Sequence, residues 1–353
     1  MEPVTHFLTG ACLARTGFNR RTAYATLAMT LAAEAPDIDV FWGFRGPVGG
    51  FEHHRGITHT FLGAPFVALA VTGIVWLWHR IRSKPPVIPP RWIVLWLLCV
   101  LAVLSHIFMD WTNNYGVRPF YPFNPRWYSL DIAFILEPVI FAALLTGLIM
   151  PAIFGLADRE IGAGRPLFRG RRWAIAAMIL IGIDLGVRAV EHHRALRIIG
   201  NNPFGDEAMH RIGAEPYPVD PFHWFAVVET PGYYQTGLVD TRTETVTTND
   251  RDDVIYKPPV TPATVAAKRS WLGRVYLDWA KFPLVTDRGP ANLTASNDLA
   301  PQPQDTAVEF RDLRFAYSFL RNSSKARSAL TAWVYVTPDG SIDAMVMNDR
   351  VQH

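Results

Sequence analysis

Residues 51–60, FEHHRGITHT, crowd three histidines and an arginine against the start of a long apolar run. Ionisable side chains at membrane depth are costly unless paired, so their concentration there marks a site. Further on, His106 and Asp110 lie four residues apart near the end of a second apolar run. On a helix that spacing stacks both on one face, as two ligands of one ion require, and Asn114 extends the face if the helix continues. Upstream, Pro36 disfavours a helical Ala35, so Asp37 and Asp39 are expected on irregular backbone. Gly56 lets the chain turn tightly, placing His54 on a loop and His59 in a first helical turn with both facing inward. Imidazole and carboxylate together suit zinc and manganese, and harder ions gain as carboxylates accumulate.

Each of these residues also has a plainer reading. His106 and Asp110 make an ion-free hydrogen-bonded pair just as well. Arg55 either holds an anionic group, to which its planar fork is matched, or snorkels at the membrane interface. Glu34 is either a general base or a buried partner of an arginine or histidine. Glu137 is expected to pair within the bundle, and His192 and His193 to be a solvated pair, while Asp184 inside an apolar run has no assigned role.

The elements that must position these groups follow from the apolar runs. Residues 3–15 and 22–35 are apolar but too short to span a bilayer, and together they predict a helical hairpin. Runs at 60–78, 92–109, 132–156 and 173–187 predict membrane spans. Lysine and arginine cluster in the loops 80–91 and 159–172 and at Arg20 and Arg21, which places those loops in the cytoplasm by the positive-inside rule. The same topology sorts His6, Asp37, Asp39, His53, His54, His59, His106, Asp110, Asn114 and Asp131 to the opposite, external face. From residue 191 the pattern changes to short alternating runs at 223–229, 274–282, 307–319 and 329–347. The last of these carries a hairpin turn at Thr337, Pro338, Asp339 and Gly340. The expected fold is therefore an α-helical transmembrane bundle over 1–190, with about four full spans and the N-terminal hairpin, followed by a small mainly-β extramembrane domain over 191–353.

Composition narrows the function. Half of the 353 residues are hydrophobic, the net charge is only +3, and no basic tract is interleaved with aromatics, so nucleic-acid binding has no support. Cys12 and Cys99 both fall in apolar runs and read as small hydrophobes. The N-terminus lacks a basic region and a small-residue cleavage pattern, so it is expected to be retained. There is no G-x-S-x-G, H-E-x-x-H, glycine-rich phosphate loop or C-x-x-C, which removes the motif basis for serine hydrolase, zincin and P-loop ATPase readings.

The blocks THFLTG, PDID, HRGITHT and SHIFMDWTNNYG, in this order and spacing over residues 1–131, resemble the YdjM/DUF457-type proteins, described as membrane-bound metal-dependent hydrolases. PFHWFAVVET in the second half is similar to the external region of longer members. The resemblance implies metal ligands at His6, Asp37, Asp39, His54, His59, His106 and Asp110, with Thr60 standing where the family often has serine. A more distant similarity to zinc-dependent phospholipase C and P1 nuclease favours phosphoester substrates.

The resulting expectation is a multi-pass protein of the bacterial inner membrane with its C-terminal domain on the periplasmic side. It hydrolyses a phosphoester or lipid-linked substrate with a divalent metal, zinc before manganese. Arg55 holds the anionic part of the substrate, and Glu34 or an unliganded histidine such as His53 handles protons. The alternative is a non-catalytic membrane protein with a structural metal or polar site and a β domain that binds a partner the sequence does not name. A transporter is a third option, disfavoured because the polarity is one-sided and inverted repeats are absent.

Overall fold

The Glu2 carboxylate accepts the Val4 and Thr5 N–H groups at 2.8 Å each, with Pro3 at the first helical position, and so starts helix α1 (Pro3–Arg15). In the computed structural model, residues 1–160, 170–202, 204, 207–249, 253–291, 302–317 and 330–353 are described. The chain divides into two units. The first comprises Met1–Asp39, Arg55–His193 and Pro216–Phe222, and the second Val40–His54, Arg194–Glu215 and His223–His353.

In the first unit, α1 turns through Gly17 (φ 146°) and packs against α2 (Ala25–Glu34) as the predicted hairpin. The two helices meet at Gly10, where an added Cβ would lie 2.5 Å from the Met29 carbonyl oxygen and 2.6 Å from the Ala33 Cβ. A Gly10→Val substitution overpacks this contact and should cost about 1–3 kcal/mol. A thermal scan in detergent is expected to show the transition lowered, and an unchanged transition would mean that the helices separate freely.

Among the described residues four further helices are long and apolar enough to cross a membrane: α4 (Ala64–Ile81), α5 (Trp92–Thr112), α6 (Pro138–Glu160, apolar through Leu156) and α7 (Arg171–Asn201). Small side chains bring α2, α4 and α5 together around Ala28, Ala32, Ala68, Cys99 and Ala102, while Cys12, Ile140, Leu144, Ala174 and Ala177 form a second core. Both cysteines are buried free thiols inside these cores. The predicted third span starts six residues too early, because the helix begins only at Pro138, a residue that favours a helix start and disfavours helix before itself. The fourth extends to Asn201, past the end of its apolar run. Of the basic loop, residues 161–169 lie outside the described residues.

The helix ends are chemically sorted. At one end Arg171 Nε donates to the Thr16 carbonyl (2.8 Å) and the Arg91 N–H donates to Thr22 Oγ1 (2.8 Å). The histidines and carboxylates of α1, α2 and α5 sit at the other end, where His106 reaches the Ala33 carbonyl.

The second unit holds two antiparallel sheets. One has the order β1 (Arg211–Pro216), β2 (His223–Glu229), β3 (Tyr233–Asp240), β4 (Thr245–Thr247), with β5 (Val254–Tyr256) also on β3. The other runs β10 (Arg350–Gln352), β9 (Ile342–Met347), β8 (Ala332–Val336), β7 (Thr306–Asp312), β6 (Pro283–Pro290). The predicted hairpin is β8–β9, with Trp333 opposite Val346 and the Gly340 N–H closing the turn on the Thr337 carbonyl at 2.9 Å. The strand expected over 274–282 is instead mostly helix α9 (Trp271–Trp279), capped by Ser270 and preceded by α8 (Pro262–Arg269). Leu272, Gly273, Tyr276 and Trp279 are its buried positions, a helical rather than alternating spacing. The run at 307–319 leaves its strand at Asp312 for a 3-10 turn, Leu313–Phe315, and residues 318–319, like Ala329, lie outside the described residues. Helix α3 (Pro47–His53) packs here too, since Phe51 meets the rings of Tyr276 and Trp279 at 5.9 and 5.3 Å.

Candidate metal centre

After α2 the chain enters a 3-10 segment, Ala35–Arg45, that carries Asp37 and Asp39 off the regular helix, as Pro36 predicts. Arg55 takes a left-handed backbone conformation (φ 53°) rare for a residue with a β-carbon, and its N–H donates to Asp39 Oδ2 at 2.6 Å. A short 3-10 turn, Ile57–His59, then turns His59 inward. Helix α5 supplies His106 and Asp110 from one face.

Asp37, His59, His106 and Asp110 converge, each offering one donor atom within 4.8 Å of the others. Asp37 is 21% exposed and the other three are buried. The hydrogen bonding of the two imidazoles explains what the group lacks. His106 Nδ1 lies 2.7 Å from the Ala33 carbonyl, which only accepts, so Nδ1 carries a proton and Nε2 of the neutral ring is a lone pair. His59 Nδ1 lies 3.2 Å from both the Asp39 carboxylate and the Thr58 hydroxyl, and a proton on Nδ1 toward the carboxylate leaves its Nε2 a lone pair as well. The two Nε2 atoms are 3.0 Å apart. Asp37 Oδ1 is 3.3 Å from His59 Nε2, and Asp110 Oδ2 is 3.5 Å from His106 Nε2. Four electron-pair donors thus face one point, where a proton or a metal ion must stand between them. Asp110 Oδ2 is buried and has no hydrogen-bond donor, which fits a cation. Two imidazoles and two carboxylates make a borderline donor set, and the Asp39 carboxylate and Ala33 carbonyl hold the far nitrogens as outer-shell partners do.

The other expected residues are distributed around this group. His6 stacks on His106 (centroids 3.7 Å apart) with Nε2 3.3 Å from Asp110 Oδ1, and neither of its ring nitrogens has a hydrogen bond. Asp39 lies behind His59, on the nitrogen away from the convergence point. Arg55 is 4% exposed, and its terminal nitrogens donate to Asp110 Oδ1 (2.7 Å), Asn113 Oδ1 (3.3 Å) and the Gly116 carbonyl (2.7 Å). The Met1 ammonium contacts the same Asp110 oxygen. Glu34, the last residue of α2, has its Oε2 buried without a hydrogen bond, and burial, then Asp37 and Glu2, push its carboxyl up to about 7. His53 and His54 belong to the second unit, where the His53 ring lies 4.2 Å from that of Trp42. Asn114 follows the end of α5 at Thr112, so it does not extend the helical face. Asn113 and Tyr115, whose ring lies under Arg55 at 4.6 Å, are site residues that the i, i+4 spacing does not select.

No solved structure matches the chain. It is similar to an uncharacterized protein, YfhP, of Bacillus subtilis (strain 168), at 28% identity over 156 residues. That match covers 42% of this chain and 45% of YfhP, less than half the length of that relative. Residues 1–195, which include every residue of the four-donor group, match the family described as YdjM inner membrane protein. With four apolar membrane helices and more than half its length matched, the chain belongs to the YdjM inner membrane protein family.

Proposed function

We propose that the chain is an integral membrane metal-dependent hydrolase acting on a phosphoester or lipid-linked substrate at the external face of the inner membrane, with zinc the first candidate ion and manganese the second. The observation that carries this is the convergence of two imidazole nitrogens and two carboxylate oxygens within 4.8 Å of one another, with the buried Asp110 Oδ2 lacking a hydrogen-bond donor. A bound divalent ion there supplies Lewis acidity toward water and a phosphoester oxygen. Asp37, the partly exposed member, gives the group its access to solvent. Ile38, next to it in the chain, is exposed and suits contact with the tail of a lipid-linked substrate. The external placement, with the C-terminal domain on that side, follows the lysine and arginine bias of the loops at the other helix ends. In this reading His6, Asp37, Asp39, His59, His106 and Asp110 supply the metal's inner and outer partners. Arg55 fixes Asp110 and presents the remaining positive charge to the substrate, and Glu34 handles protons.

Glu34→Gln separates chemistry from binding. The variant should retain its metal and lose about 10²–10⁴-fold in turnover, measured on metal-loaded protein in proteoliposomes with phosphodiester and phosphomonoester lipids. Glu34 acts as a base when deprotonated, so the parent rate should climb as pH passes about 7, and this rise should vanish in the variant. A protein that holds metal but hydrolyses no phosphoester would favour the second reading, a structural site tying helix ends together. That reading draws on the burial of three of the four donors, since structural sites are closed by protein ligands.

A further inference from the structure

At the end of the bundle away from the histidines, a cavity of about 420 Å³ lies among Asn19, Thr22, Tyr24, Thr26, Arg82 and Val87. Arg82 follows the last residue of α4, and its guanidinium rests over the rings of Trp78 (4.9 Å) and Tyr24 (5.8 Å). Among the described residues no hydrogen bond or carboxylate engages it, so its donors are directed by ring stacking rather than by an ion pair. Tyr24, held in a left-handed conformation (φ 65°), is fixed in turn by its hydroxyl, 2.8 Å from His79 Nδ1. Asn19 lines the cavity, and its amide oxygen is buried without a hydrogen-bond partner, so the amide is free to turn and offer its N–H donors.

We propose that this cavity binds the phosphate headgroup of an anionic phospholipid. A guanidinium fork left open by stacking matches phosphate oxygens in a bidentate geometry, and Asn19 and Thr26 line the same space. The lining is apolar elsewhere: Leu27 and Val87 are both exposed, beside a helix long and apolar enough to cross the membrane. A ligand that satisfies both the arginine and this lining is amphipathic, and the cavity is roomier than a phosphate ion requires. Exposed Arg21, Lys84 and Arg91 on the flanking segments add a positive field that favours an anionic headgroup over a zwitterionic one.

The test is native mass spectrometry of the full-length protein in detergent, titrated with phosphatidylglycerol, phosphatidylcholine and inorganic phosphate. The parent should retain one phosphatidylglycerol about tenfold more tightly than phosphatidylcholine, and Arg82→Gln should lose that preference. Asn19→Ala, which leaves the stacked arginine in place, should weaken retention several-fold, and Arg80→Gln, an exposed neighbour on α4, should not change it. Equal retention by Arg82→Gln and the parent overturns the site. Displacement of the lipid by millimolar phosphate alone overturns the lipid assignment in favour of a soluble anion. Should Arg82→Gln fail to fold, the Asn19→Ala and Arg80→Gln pair decides the matter, equal weakening in both being the overturning result.

Discussion

The His106→Ala, Asp110→Asn double variant, purified in detergent beside its parent, should be stripped of divalent metal, whereas Asp39→Asn should bind metal about 10–100-fold more weakly yet still saturate. The gradation follows from position. His106 Nε2 and Asp110 Oδ2 face the convergence point, while Asp39 faces the far nitrogen of His59. Asparagine rather than alanine at 110 keeps an oxygen for Arg55, whose terminal nitrogen is 2.7 Å from Asp110 Oδ1, so metal loss is not confounded with a stranded buried cation. Elemental analysis gives the stoichiometry, and competition with a chromophoric chelator gives the affinities. If the parent carries neither zinc nor manganese after incubation with each, the lone pairs share protons instead, and the hydrolase reading falls with the metal.

The membrane part of the fold was legible because bilayer length is a strong constraint: runs of apolar residues admitted little besides spanning helices. The boundaries failed where polar residues continued a helix. Helix α7 runs on to Asn201 because Ala195 and Ile199, four residues apart, bury their side chains with Trp224, Ala226 and Val228 of the second unit. A lipid-length criterion does not register that helical spacing. The segment 274–282 failed for a related reason: in a short window with many aromatics, alternation and a helical stripe look alike, and Ser270 as a cap was the missing cue.

At the site, residue type and membrane side selected the converging group, but not which donors converge. Asp37 and Asp39 differ by two positions, and only the turn through the 3-10 segment sends one toward the ion position and the other behind His59. His54 and His59 flank Gly56, yet His54 follows α3, whose Phe51 is anchored among Tyr276 and Trp279 more than two hundred residues away in the chain. No local pattern carries that information. Asn113 was equally silent in the sequence, because its role depends on α5 ending at Thr112.

Arg188→Leu should destabilise the first unit by about 3–5 kcal/mol, and adding Glu137→Leu should restore part of the loss. Arg188 is fully buried, with NH2 3.1 Å from Glu137 Oε2, Nε 3.2 Å from Asp184 Oδ2, and NH1 donating to the Tyr217 carbonyl at 3.1 Å. Glu137 in turn accepts the Val219 N–H at 2.9 Å. This assigns Asp184, which the sequence left without a role, and places Glu137 in the intrabundle pair expected of it. Removing the arginine strands the buried Glu137 carboxylate and the Asp184 carboxylate together, whereas removing both Arg188 and Glu137 leaves only Asp184 without its arginine and the Val219 N–H unmatched, so the recovery is partial. The sign of the coupling is therefore fixed: the double variant is more stable than the sum of the single losses. Unfolding in mixed micelles, run as a double-mutant cycle, measures it directly, and strict additivity would show that the ion pair is not what holds these groups together. Val219 sharpens the comparison, because a β-branched residue at φ 70° is strained and holds that conformation only while its surroundings impose it. In the double variant the segment Pro216–Phe222 loses its Glu137 anchor, so protease cleavage should begin there even though part of the bundle's stability has returned.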